Sequence, residues 1–251
     1  KSSNIYIHEK SPLLIKIQKK NLKGNGIIWL TNINKVKKNP TIFIANEFFD
    51  SIAIKQFIKI ENSWFERYVK MKNKSRAFFF DKKFNMKTFE KKIKFRISYK
   101  QNFIEYSELG VKYLEVLSKI IKKNNGGILI IDYGYFDEKM KNTLQAISNK
   151  KYSNVLNNVG SSDITHNINF NLLKRIVKKI GGLKELTATQ RNFLINVGIK
   201  ERAEIISKNL PFLKKADIYY RLQRLIDEKQ MGNIFKVMLI KNKNNKFNLG
   251  F

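Results

Sequence analysis

Three apolar runs in this chain each end in an acidic residue. Residues 5–8 run into Glu9, residues 41–45 run into Asn46 and Glu47, and residues 127–131 run into Asp132. Four or five consecutive, Ile-rich residues followed by a helical pattern predict buried parallel strands. In an open α/β sheet the ligand lies outside the carboxyl ends of the strands. Three acids delivered there by three strands predict one site, with the string from Ala45 to Asp50 its most specific part.

Size and composition narrow the chemistry that such a site can perform. With 251 residues and 43% hydrophobic content, the chain can bury a sizeable core as one domain carrying insertions. It has no cysteine, which excludes disulfides, a thiolate nucleophile, iron–sulfur ligation and Cys-type zinc sites. Only His8 and His166 supply imidazole, so no metal site is expected. No uncharged apolar run approaches the roughly 20 residues that span a bilayer, so membrane insertion is not expected. The first residue is Lys, and Ile5 already reads as the interior of a fold. The natural N-terminus is therefore expected to be missing, with no signal segment ahead of the first strand.

The formal net charge of +30 suggests nucleic acid, but its make-up argues otherwise. Only eight of the 50 cations are Arg, whose planar fork suits phosphate, and Lys is scattered along the whole length. A solvated lysine-rich surface follows, with no specific nucleic-acid partner and only weak binding at low salt.

Along the chain, Ser11 and Pro12 open a helix to about Lys20, and 26–30 reads as a short strand. Residues 47–54 suggest a short helix with acids in its first turn. Residues 56–60 and 64–71 alternate as a β-hairpin, and 76–80 suits a third strand. Residues 106–123 form an amphipathic helix, with Leu109, Tyr113, Leu114, Leu117, Ile120 and Ile121 on one face. A hairpin is expected around 143–147 and helices near 171–180, 189–197, 200–209 and 211–226, followed by a strand over 233–241. The domain organisation read from this is one domain over 1–251, with a β-hairpin insertion at 55–100 and a mostly helical insertion at 136–230.

Five strings then occur in order: Asn46 to Asp50, Ile130 to Tyr135, Thr143 to Ala146, Asp163 to His166, and Met231 to Val237. Together they resemble the MidA family of S-adenosylmethionine-dependent methyltransferases, over nearly the whole chain. The resemblance implies an α/β, Rossmann-like class I methyltransferase fold, here without its first strand and Gly-rich loop. That strand lies between the second and fourth of the family sheet, so residues 5–8 and 41–45 should either face each other unpaired across the slot it leaves or collapse and pair directly. One departure is Asn167, where the family usually has an apolar residue.

The resemblance further implies S-adenosyl-L-methionine as cofactor, a protein arginine as acceptor and a place in respiratory complex I assembly. The compartment would be the cytoplasm in a bacterium or the mitochondrial matrix in a eukaryote. Glu9 and Asn46 would bind cofactor, Glu9 through ribose hydroxyls. Glu47 and Asp50 would be catalytic, gripping a guanidinium that is always charged and poorly nucleophilic. Asp132, Tyr133, Tyr135, Gln145 and His166 would line the acceptor pocket. Alternatives stand beside these roles: Glu47 and Asp50 as helix caps, Phe48 and Phe49 as core, His166 as a satisfied loop histidine. For the whole chain the rivals are a non-catalytic assembly factor of the same fold and a basic nucleic-acid-binding or nucleic-acid-methylating protein.

Overall fold

The computed structural model describes residues 3–73, 76–157 and 160–251. The chain opens with strand β1 (Tyr6–His8), helix α1 (Pro12–Asn21) and strand β2 (Ile28–Leu30). Ser11 caps α1 by accepting the Leu14 amide, and Pro12 occupies the first turn, where its missing N–H costs nothing. The helix lets β1 and β2 pair in parallel, with His8 opposite Leu30.

Strand β3 (Thr41–Asn46) is followed by β4 (Lys55–Ile60), β5 (Ser63–Asn73), β6 (Arg76–Phe84), α2 (Met86–Ile93) and β7 (Phe103–Tyr106). Strands β6, β5, β4 and β7 form an antiparallel sheet in that order. Its inner face is closed by rings of Phe57, Phe84, Phe89 and Tyr106 at centroid separations of 4.7 to 5.7 Å. The hairpin of the sequence reading is thus part of a four-stranded sheet. Its last strand, β7, and helix α2 carried no clear sequence signal.

The main sheet is built from distant pieces. Helix α3 (Glu108–Asn124) leads into the long strand β8 (Gly126–Tyr135), which pairs in parallel with β3. Beyond it come β9 (Gln145–Ser148), β10 (Lys151–Ser153), β11 (Asp163–Thr165), β12 (Ile168–Asn169), α4 (Phe170–Ile180) and β13 (Leu183–Thr189). Helices α5 (Gln190–Asn196), α6 (Ile199–Ser207), α7 (Phe212–Ile226) and α8 (Met231–Ile234) precede the final strand β14 (Phe235–Asn242). The sheet runs β3, β8, β14, β13, with β14 antiparallel to both neighbours. Strand β13 was not foreseen; it lies within the stretch expected to be mostly helical and completes the sheet edge. Leu114 and Ile121 of α3, Val177 of α4, and Ile128, Ile130, Met238 and Ile240 of the sheet are fully buried at the centre of the core.

Two details carry the site. The far end of β8 receives β12, with Ile168 opposite Gly134. A Cβ at Gly134 would sit 2.4 Å from the Ile168 carbonyl oxygen and 2.6 Å from the Phe170 ring, so only glycine permits the approach. The other detail corrects an expectation. Residues 47–54 form no helix: Glu47 takes φ +47°, and the amides that would start a helix are bound by a carboxylate from β8.

Strand β1 pairs with β2 alone, and β3 pairs with β8 alone, among the described residues. The two therefore stay unpaired with each other, and direct pairing, one of the two outcomes expected from the sequence, is not adopted. On β3, Ile42 and Ile44 are 75% and 70% exposed. Flat apolar edges of this kind promote edge-to-edge association. A chain of these 251 residues should self-associate, and Ile44→Lys should reduce the association in light scattering at unchanged thermal midpoint. Equal scattering from both proteins would place the contact elsewhere.

Candidate functional site

The site lies where β1, β3 and β8 end. After β3 the chain turns sharply, and Glu47 donates its amide to the Ile131 carbonyl at 3.0 Å. The following turn is held from below. One carboxylate oxygen of Asp132 accepts the amides of Phe49 at 2.9 Å and Asp50 at 3.3 Å. The other accepts the Tyr133 amide at 2.9 Å. This arrangement leaves Asn46 and Glu47 exposed at the rim and buries Phe49 and Asp50.

Asp50 and Asp132 are both buried. Burial pushes the Asp132 carboxyl up to about 7, helped by the neighbouring Asp50 charge and opposed by the three amides. Burial likewise raises Asp50 to about 6, with Glu47 and Asp163 adding to the effect and local amides opposing it. Near neutral pH the pair favours one bound proton. Oδ1 of Asp50 has no hydrogen-bond partner among the described residues, an uncommon state for a buried carboxylate oxygen. The Asp50 carbonyl accepts the His166 amide at 3.1 Å, and His166 Nε2 donates to the Ile52 carbonyl at 3.1 Å. Burial lowers the affinity of that ring for a proton.

A second buried carboxylate organises the flank. Glu105 of β7 accepts the side-chain amide of Gln56, the amides of Thr143 and Leu144, and the Thr143 hydroxyl. Thr143 Oγ1 in turn accepts the Asn167 amide at 2.9 Å. Gln145 Nε2 donates to Thr165 Oγ1 at 3.2 Å, within the ladder that pairs β11 with β9. Three of the sequence strings thus converge: the turn after β3, the stretch from Thr143, and the stretch from Asp163. Glu105 was missed from sequence, although a lone Glu inside the apolar run from Phe103 to Tyr106 is its signal.

The remaining expected residues fall in separate places. The Tyr133 ring stacks on Phe235 at 4.1 Å, and its hydroxyl is raised by burial and by the charges of Glu47 and Asp50. Tyr135 points its hydroxyl to the Lys141 amide at 3.0 Å. With Phe49, Glu105 and His166 it lines a cavity of about 40 Å³ beneath the turn. Such a space suits ordered water and is far below the few hundred Å³ of a cofactor pocket. Glu9 ends β1, and its Oε1 accepts the Lys10 and Ser11 amides at 2.7 and 2.9 Å. The Ser11 amide chiefly holds its carboxyl below the usual range. Oε2 of Glu9 has only a long 3.4 Å contact from Gln18 and keeps acceptor capacity. His8 and Phe48 both meet the Tyr113 ring of α3, at 5.7 and 5.1 Å, so the ends of β1 and β3 share a support. Among the described residues no group of three or more His, Asp and Glu side chains is gathered around a possible metal.

Residues 1–189 match the family model described as "Putative S-adenosyl-L-methionine-dependent methyltransferase". The chain belongs to this family. The zebrafish (Danio rerio) relative named mitochondrial protein arginine methyltransferase NDUFAF7 is 26% identical over 95% of this chain and 61% of its own length. The Caenorhabditis elegans homolog of that protein is 31% identical over 71% of this chain and 42% of its own. The chain thus spans about half the length of these curated relatives. A crystal structure of an uncharacterised protein from Burkholderia thailandensis superposes with TM-score 0.82 at 19% identity, over 98% of this chain and 68% of that one. A further Burkholderia thailandensis structure, bound to S-adenosyl-homocysteine, gives 0.79 at 20% identity over 99% of this chain and 66% of that one. The methyltransferase fold expected from the five strings is therefore the fold of the chain.

The buried acid pair makes a pH prediction. An acid whose carboxyl is raised on folding binds more protons folded than unfolded, so stability falls as pH rises. For Asp50 and Asp132 the loss runs from about pH 4 through the raised values near 6 and 7. Asp50→Asn should flatten this slope and raise stability at pH 8 by about 2 kcal/mol, read from urea unfolding at pH 5 and pH 8. A slope equal to that of the unmodified protein would show that Asp50 is not the strained acid.

Proposed function

We propose that the protein transfers a methyl group from S-adenosyl-L-methionine to an arginine side chain of another protein. The observation that carries this reading is the arrangement at the end of β3. There an exposed carboxylate, Glu47, stands beside a buried one, Asp50, that keeps an unpartnered oxygen.

The residues present fit the cofactor. Glu9 retains an acceptor oxygen suited to ribose hydroxyls, and Asn46 offers a donor and an acceptor at the opposite strand end. These two would hold it across the edges of β1 and β3. The bound cofactor supplies a methyl group on a positively charged sulfur, which keeps the electron pair of the broken bond. Everything else falls to this chain. Glu47 accepts two N–H donors of the guanidinium and draws its charge toward them, leaving the third nitrogen to react. Asp50, whose carboxyl burial raises to about 6, is ionised above that pH and in that form accepts the proton released. Asp132 touches no substrate in this reading: it positions the turn that carries both acids. Catalysis is mostly orientation and electrostatics.

The acceptor is proposed to be a respiratory complex I subunit, in keeping with the family resemblance read from the five strings. The curated relatives are named mitochondrial, and no helix among the described residues is long and apolar enough to cross a membrane. The mitochondrial matrix is the proposed compartment in a eukaryote, and the cytoplasm in a bacterium.

Glu47→Gln keeps shape and removes charge. Methyl transfer to the natural acceptor should fall at least about tenfold, on the order of 1.4 kcal/mol, with S-adenosyl-homocysteine affinity nearly unchanged. Undiminished transfer would reduce Glu47 to a turn residue. Glu9→Ala should show the converse. Calorimetry should give weaker S-adenosyl-homocysteine binding by roughly 1.5–3 kcal/mol for the charge-assisted hydrogen bond lost, and equal affinity would remove Glu9 from the site.

A further inference from the structure

Helix α7 is apolar on two sides, and the fold uses one of them. Ile218, Leu222, Leu225 and Ile226 turn inward, toward neighbours α5, α6 and α8. The other side carries Phe212, Leu213, Tyr219 and Tyr220. At 100° per residue their spacing, with Ala216 between them, makes one stripe that borders the inward face at Tyr219 and turns away from it toward Leu213. Phe212 and Leu213 are each 80% exposed and Tyr220 is 72% exposed. Single exposed apolar residues are ordinary, whereas four large ones on one stripe mark an interaction surface.

The stripe has a direction and a charge. At its C-terminal end the Leu225 and Ile226 carbonyls accept from Gln190 and Arg191, which directly follow Thr189. Thr189 pairs with Lys236 and Lys236 with Asp132, so this end of the helix lies at the end of the sheet that carries the candidate site. Lys214, Arg221 and Arg224 are exposed on the same helix, and its acid, Asp217, is paired with Arg221 at 2.9 Å. A second copy of this chain would bring its own +30 against the same cations, which disfavours self-pairing there.

We propose that the outer stripe of α7 docks the protein to be methylated, taking a segment with apolar side chains near the target arginine and acidic residues flanking them. Apolar anchors supply affinity and the acidic flanks supply steering and register, with the arginine delivered toward Glu47. This inference rests on the methyltransferase reading of the site and names what that site would recognise.

The test uses the intact protein and three fluorescent 15-residue peptides, each with one central Arg. The first has Leu and Phe near the Arg and flanking Asp and Glu; the second replaces Leu and Phe with Ser; the third replaces the acids with Lys. Anisotropy at 0.15 M salt should show the first binding at least tenfold tighter than the others. A Phe212→Ser, Tyr220→Ser double variant should lose about tenfold for that peptide, while circular dichroism and S-adenosyl-homocysteine affinity stay unchanged. Equal binding by both proteins would overturn the proposal. So would sedimentation showing a dimer that the double variant abolishes, or anionic-vesicle binding that it abolishes without any effect on the peptide. The readout needs no methyl transfer. A protein that binds the first peptide and transfers nothing would therefore refute the chemistry and sustain the surface.

Discussion

The Asp132 carboxylate is the interaction on which the site depends. Fully buried, it accepts three main-chain amides, two of them from the turn after β3. Away from water such bonds are strong, and an amide left unpaired would cost about 1–3 kcal/mol. Binding those amides removes the helix that the sequence pattern suggested and fixes the turn as a platform. Glu47 and Asn46 then face outward, while Phe49 enters the core and Asp50 lies beside the anchoring acid.

That proximity has an electrostatic consequence. Burial raises both carboxyls, Asp50 adding to the rise of Asp132 and Glu47 and Asp163 to that of Asp50, so a proton is held near neutral pH. Structural stability is given up at this position. Glu105 repeats the anchoring device on the flank, binding Thr143 and Leu144 so that the segments from Thr143 and Asp163 meet the turn. Thus two buried acids organise most of the polar architecture, which an apolar core alone could not orient.

Much of this was legible from sequence where the signal is local. The strands β3, β8 and β14 and helices α1, α3, α4 and α7 follow from apolar periodicity, caps and Pro or Gly punctuation. Periodicity failed where a long-range contact overrides it. The stretch after β3 looks helical by its acids, but the structure there is set by a residue more than 80 positions away. β13 has only Leu183 and Leu186 as large apolar residues and its partner is distant, so Leu183 to Thr189 carries little pattern of its own. Glu9, Glu47 and Asp132 all read as strand-end acids, but β8 runs on to Tyr135 and encloses Asp132, and the surroundings of the three differ. Glu9 binds the amides of Lys10 and Ser11 ahead of α1, Glu47 is exposed, and Asp132 is sealed. A sequence shows that a carboxylate ends a strand; only packing shows whether it faces a ligand or an amide.

The most direct test of this account is residue-resolved hydrogen exchange on the unmodified protein and Asp132→Ala. The amides of Phe49 and Asp50 should be protected in the first and exchange much faster in the second, with the amides of the β13–β14 ladder still slow. Unchanged protection of Phe49 and Asp50 would contradict the claim that the Asp132 carboxylate holds the turn.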